Sequence, residues 1–149
     1  MKIEHILVGT DLSSEGLECC TPVAELARSL GARVTLLHVV PTVSAIPHGA
    51  PLAPPVEEPG VAEDVDEARD SLEVQRGRFG DGVEFTPVVV TARDVAEGII
   101  DYAKDNGVDL IAVATHGHTG FRHLVLGSVA EGVVRRSHVP VLVLPRPRD

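Results

Sequence analysis

VDLIAVATHGHTGFRHLVLGSVAEGVVRRSHVPVLVL, residues 108–144, changes periodicity twice within one short stretch. Its opening VDLIAVA (108–114) is a short apolar run without polar alternation, the pattern of a strand buried on both faces. A loop carrying Gly117 and Gly120 follows over 116–126. Residues 128–136 then read as a helix, with Ser128 and Glu131 at capping-box spacing. VPVLVL (139–144) returns to an apolar strand. Two such strands joined through a helix run parallel, because the helix carries the chain back to the starting end of the sheet.

The same alternation extends back to the N-terminus. Residues 3–8 read as a buried strand ended by Gly9-Thr10-Asp11. Ser13 or Ser14 then caps a helix whose Leu17, Cys20, Ala24 and Ala27 recur at three- and four-residue steps. Pro22 inside that pattern predicts a kink or a late start, and Gly31 a C-terminal stop. RVTLLHVV (33–40) is a second strand. Residues 41–60, PTVSAIPHGAPLAPPVEEPG, are too proline-rich for a long helix or a central strand and read as a surface excursion. An acidic helix is expected over 61–78, with Val61, Val65, Ala68, Leu72 and then Gln75 or Phe79 inward and its charges on a solvated face. Residues 83–90 form a third strand, where Pro87 predicts an edge position or a bulge. Asp94 and Glu97 open a helix that runs through Ala103 and closes at Gly107. The order β-α-β-α-β-α-β-α-β predicts a doubly wound α/β fold: one parallel sheet, helices on both faces, right-handed crossovers.

Composition agrees with that class. The 149 residues suffice for one domain, 1–149, and not for two. With 3% aromatic residues and no Trp, the core must be aliphatic. A net charge of -9 without any basic stretch argues against nucleic acid and against an anionic membrane as partners. It also obliges any phosphate site to work through local geometry, since the overall field repels an anion. Cys19 and Cys20 are adjacent, a poor geometry for a structural disulfide, and read as small hydrophobes in a reducing compartment. Glu4 and His5 interrupt the N-terminal apolar run, so it is not a signal peptide, and no run approaches the ~18 apolar residues of a membrane span. A cytoplasmic location is expected.

In parallel α/β sheets ligands bind beyond the carboxyl ends of the strands. Two loops there carry polar and glycine residues: Gly9–Ser14 after the first strand, and Ala114–Gly120 after the fourth, which leads on to Gly127-Ser128. Glycines let backbone N–H groups approach an anion, and the helix opening at Gly127-Ser128 adds the positive end of its dipole. Ser128 either donates to a phosphate or caps the helix with Glu131. Asp11 either accepts from a ribose or helps hold a metal beside phosphates, or it caps the first helix; with Ser13 and Ser14 available as caps, its carboxylate is expected to stay in the crevice. His116, His118 and His123 lack neighbouring Cys or carboxylate ligands, so no dedicated metal site is expected. His38 reads as a satisfied core or cleft histidine.

VGTDLSSEG at 8–16, LLHVV at 36–40 and ATHGHTGFRHLVLGSVAEGVVRRSHVPVLVL at 114–144 resemble the universal stress proteins over nearly the whole chain. The motif of the ATP-binding branch, Gly-x2-Gly-x9-Gly-Ser/Thr, is met by Gly117 and Gly127-Ser128, while Ala114 stands at its first glycine. His118 stands where Arg or Lys is frequent, with Arg122 nearby to compensate and His116 beside it. The resemblance implies an adenine nucleotide alpha hydrolase-like fold with strand order 3-2-1-4-5 and a homodimer through residues 139–144. It implies ATP as ligand, with any magnesium held by the nucleotide and Asp11. Thr10 and Asp11 would face the ribose or magnesium, Val39 the adenine, and Ala114, Gly117, Gly127, Ser128 and Val129 the phosphates. The expected function is nucleotide binding in stress response or signalling with little turnover, since no Walker lysine is present. The alternatives are a partner-binding protein of the branch that lacks ATP, or a slow ATPase or adenylyl- or phosphoryl-transfer enzyme. A receiver domain is excluded, because Thr91-Ala92-Arg93 stands where its third-strand aspartate belongs.

Overall fold

A computed structural model describes residues 1–42, 60–115 and 126–145; the remainder of the 41–60 excursion and of the loop after the fourth strand lies outside the described residues. The elements are β1 (His5–Gly9), α1 (Ser14–Glu18), α2 (Cys20–Leu30), β2 (Arg33–Pro41), α3 (Val61–Glu73), α4 (Arg76–Phe79), β3 (Phe85–Ala92), α5 (Val95–Asp105), β4 (Leu110–Ala114), α6 (Ser128–Arg136) and β5 (Val141–Leu144). All strand pairings are parallel and the sheet order is β3-β2-β1-β4-β5, as the resemblance implied.

Side chains alternate across the sheet and divide the core into two layers. Ile6, Val8, Val34, Leu36 and Ala112 pack under α1 to α4 through Leu17, Val23, Ala24, Ala27, Leu72 and Phe79. Leu7, Leu37, Val39, Ile111 and Val113 pack under α5 and α6 through Ile99, Ala103, Ala130 and Val133. Both layers are mostly aliphatic, as the composition requires. β1 sits in the centre and is buried from His5 to Val8.

Local signals act as expected at several points. Ser13 caps α1, accepting from the Gly16 N–H, and Gly31 closes α2 in the left-handed region. The helix breaks at Cys19, and Pro22 falls in the first turn of α2, where its missing N–H would have no acceptor. Cys19 and Cys20 are both buried, and burial pushes the Cys20 thiol up to about 12. β3 pairs with β2 alone among the described strands, the edge position that Pro87 demanded. The acidic helix departs from expectation: α3 stops at Glu73 and α4 restarts at Arg76. The turn between them brings Phe79 under the sheet, where it stacks on Phe85 with ring centroids 4.6 Å apart. The break falls at Val74-Gln75, and Gly77, a poor helix former, lies within the short α4 that follows.

Gly98 of α5 allows that helix to approach β2 and β3 near the carboxyl end of the sheet. A Cβ there would lie 2.9 Å from Ala92 Cβ and 3.0 Å from Val39 Cγ1. Gly98→Ala is therefore expected to lower stability by about 1–3 kcal/mol through overpacking, read as a reduced urea midpoint at unchanged slope.

At the opposite end of the sheet His5 is buried between β2 and the end of α5. Its Nε2 lies 2.9 Å from Thr35 Oγ1, and its Nδ1 lies 3.2 Å from the Asn106 carbonyl and 3.1 Å from Arg33 Nη2. Burial first, and then the Arg33 guanidinium, hold its pKa below the ordinary 6.5, against the opposing pull of the Asn106 and Gly107 carbonyls and the Asp109 carboxylate. The unfolded chain thus binds this proton more readily, so the stability His5 confers is present above pH 6.5 and is lost as pH falls toward the lower folded value. Thermal melts between neutral and mildly acidic pH are expected to show a decline that His5→Gln flattens.

Candidate functional site

The carboxyl ends of β1 and β4 lie side by side, with Gly9 level with Val113. Beyond them the chain leaves β1 toward α1 on one face, and α6 covers the other face. The crevice so opened holds a cleft of about 230 Å³, walled by Val39, Val95, Ile99, Val113, Val129 and Ala130 on its apolar side. Thr10, Asp11 and His38 supply its polar side.

The β1–α1 turn is held from within by hydrogen bonds. The Thr10 hydroxyl accepts from Leu12 N–H at 3.1 Å, and Asp11 Oδ1 accepts from Ser13 N–H at 3.0 Å and from the Ser13 hydroxyl. Ser13 Oγ in turn accepts from Gly16 N–H at 3.1 Å. Asp11 was expected to remain in the crevice while serines did the capping. Asp11 does line the cleft and Ser13 does cap α1, and Ser13 also donates to the Asp11 carboxylate, because the two residues share one turn. A Cβ at position 16 would lie 2.6 Å from Asp11 Oδ1, so Gly16 is what lets that carboxylate lie against α1. Leu12 has φ 64°, the left-handed region, in which no other non-glycine residue stands among those described. Such a backbone costs on the order of 1 kcal/mol and persists only where surroundings fix it. Here the Leu12 side chain packs against the core under α2.

From β2, His38 Nδ1 lies 2.9 Å from the Thr10 carbonyl. A carbonyl only accepts, so Nδ1 carries the hydrogen. His38 is thus a satisfied cleft histidine, and its ring also walls a second groove lined by Leu12, Asp64 and Glu67. Val39 is buried and lines the cleft.

Ala114 ends β4 opposite Leu144, in strand conformation and outside the left-handed region. The backbone therefore does not need glycine there, and the departure amounts to one methyl group at the cleft wall.

At α6 the structure corrects the expected capping box. Gly127 is the N-cap, at φ -63° and ψ 160°, and no side chain caps the helix. Ser128 is the first helical residue and is exposed, while Glu131 pairs with Arg135 at 3.2 Å. The extended Gly127 backbone displaces the cap by one residue and so withdraws the serine hydroxyl from that role. The first-turn N–H groups of α6, which lack intrahelical acceptors, stand at the cleft where Val129 and Ala130 line it.

Of the residues singled out from the sequence, Thr10, Asp11, Val39, Ala114 and Val129 meet in this cleft, and Gly127 and Ser128 stand at the helix end beside it. His116, Gly117, His118, Arg122 and His123 lie outside the described residues. Val95 and Ile99 of α5 were not foreseen. The available signal was topological: a helix that follows a parallel strand starts at the carboxyl end of the sheet. Among the described residues no group of three His, Cys, Asp or Glu could hold a metal ion, and no helix is long and apolar enough to cross a membrane. The cleft can thus offer a planar apolar group a wall, hydroxyls a hydrogen-bonding turn, and an anion a helix end.

The model of the universal stress protein family matches residues 2–145. Universal stress protein MJ0577 of Methanocaldococcus jannaschii is 35% identical over 82 residues, which is 54% of this chain and 50% of that protein. A universal stress protein solved in complex with cAMP has the same fold, with a TM-score of 0.70 at 18% identity, covering 99% of this chain and 100% of that one. The universal stress protein from Archaeoglobus fulgidus in complex with dAMP gives a TM-score of 0.69 at 21% identity, covering 96% and 98%. With the family pattern matched along nearly its whole length and the same fold in these relatives, the chain belongs to the universal stress protein family.

Proposed function

We propose that this chain is a cytoplasmic ATP-binding module of stress response or signalling, with little turnover. The observation that carries the reading is one cleft joining an apolar wall to the uncapped N-terminus of α6. Two structural relatives are described in complex with cAMP and with dAMP, ligands that share an adenine and a phosphate. In this chain Val39 would lie against the adenine, and Thr10 and Asp11 would meet the ribose. Ala114, Gly117, Gly127, Ser128 and Val129 would surround the phosphates, supported by His116, His118 and Arg122. Magnesium would enter on the phosphates and meet Asp11, with no dedicated metal site of the protein's own.

Little turnover is expected because no lysine or arginine is among the described residues lining the cleft to take up charge on a leaving phosphate. The reading without ATP would rest on Ala114, and the strand backbone of that residue removes the conformational reason for it. Two copies would pair through β5, whose four apolar residues are only half-buried and which would otherwise leave an apolar edge exposed.

Calorimetry with ATP and magnesium is expected to give heat with the wild-type chain. Gly127→Val should weaken the affinity at least about tenfold, because valine accepts the Gly127 backbone but stands where the phosphates approach. Ala114→Gly should tighten it modestly. Absence of heat with the wild-type chain ends the ATP reading; unaltered affinity in Gly127→Val moves the phosphates elsewhere. Sedimentation is expected to find a dimer that Val143→Lys converts to monomer, and a wild-type monomer would reject the β5 interface.

A further inference from the structure

We infer that His38 is a positioning residue of the cleft: by donating Nδ1–H to the Thr10 carbonyl, it fixes how the Thr10–Asp11 peptide faces an incoming nucleotide. The role rests on the nucleotide reading above.

The hydrogen bonds inside the β1–α1 turn set its shape, since Leu12 N–H reaches the Thr10 hydroxyl and Ser13 reaches Asp11. They do not set how the turn sits on the sheet. Two hydrogen bonds tie it to β2, both on Thr10 and both from consecutive residues of that strand. Thr10 N–H donates to the Leu37 carbonyl at 3.0 Å, and the Thr10 carbonyl accepts from His38 at 2.9 Å. The first is the last step of the strand ladder. The second is made after the ladder has ended, by a side chain from outside the turn.

The peptide unit is planar, so fixing the Thr10 carbonyl also fixes the opposite direction of the Asp11 N–H and the point from which the Asp11 side chain departs. The constraint matters because Leu12, two residues on, is held in the left-handed region. Relaxation of Leu12 to an ordinary conformation would require the neighbouring peptides to swing, and the His38 bond opposes that swing.

The two parts of the inference separate experimentally. His38→Leu fills the space without a donor, whereas His38→Asn returns an amide N–H near the position of Nδ1. Amide exchange of Leu12 and Ser13, measured without ligand, reads the latch, and calorimetry with ATP and magnesium reads its use. His38→Leu is expected to speed exchange and weaken ATP binding, each at least about tenfold, and His38→Asn to restore both to within about threefold. Should His38→Leu fail to fold, His38→Gln, whose amide lies beyond the Nδ1 position, takes its place. Unchanged exchange or unchanged affinity in the donor-free variant overturns the inference. Equal losses in His38→Asn also overturn it, because they identify the ring as filler. No heat with the wild-type chain overturns the nucleotide reading and the positioning role with it, whereas wild-type heat with full affinity in His38→Leu overturns the positioning role alone.

Discussion

Gly9 of β1 stands level with Val113 of β4, and beyond that level the chain goes to opposite faces of the sheet. This divergence opens the crevice, and the parallel register is what makes it possible. Antiparallel neighbours would place one strand end beside a strand start and bring no two such loops together. Once the crevice exists, each wall follows from an element already required by the core. β2 contributes Val39 and His38 at its end, α5 its first turns, and α6 its N-terminus. The same residues thus serve the core and the cleft: Val39, Ile99 and Val113 belong to the layer under α5 and α6 and also line the opening.

The β1–α1 turn contrasts with this economy. It holds the left-handed leucine, a carboxylate engaged by a neighbouring serine, and a glycine without which that carboxylate would collide with α1. Apart from the packing of the Leu12 side chain against the core, these features do not serve to cover the sheet. Backbone strain in a turn survives when several interactions fix it at once. Here hydroxyl, carboxylate, imidazole and core packing converge within four residues of the end of β1. A turn fixed in this way loses little further freedom when a ligand docks, which favours binding through preorganisation.

Much of the fold was legible because it rests on short-range patterns. Unbroken apolar runs named the strands, Pro87 marked the edge, and Ser13, Asp94 and Gly31 acted where their local chemistry placed them. What was not legible lay in backbone detail that apolar periodicity does not carry. The α3–α4 break falls at Val74-Gln75, inside an apolar pattern that runs on through it, so periodicity alone does not reveal it. Whether Gly127 or Ser128 caps α6 is decided by the extended conformation of Gly127, and the sequence Gly-Ser permits either. The left-handed Leu12 between Asp11 and Ser13 is an outcome that a leucine does not advertise. Ile99 reached the cleft from a helix far along the chain, through topology alone.

An acidic chain with a net charge of -9 is an unpromising host for an anion, and the local arrangement shows how that opposition can be confined. At physiological ionic strength exposed charges farther than about 8 Å are largely screened, so of the α3 carboxylates only those beside the cleft, such as Asp64 and Glu67 in the groove next to His38, bear on it. Three acidic groups at the cleft or at α6 have partners. Ser13 donates to Asp11 at the cleft itself. Glu131, in the first turn of α6, is paired with Arg135 at 3.2 Å. Asp94, next to Val95 of the apolar wall, is held by Arg136 at 2.8 Å and by the Glu97 N–H, and these bonds keep its pKa below the usual carboxylate value. Exposed ion pairs of this kind contribute little to stability. Their consequence is electrostatic and local: Arg135 and Arg136 set positive charge beside Glu131 and Asp94, which lessens their opposition to the N–H groups at the start of α6 over the short range in which a helix terminus acts.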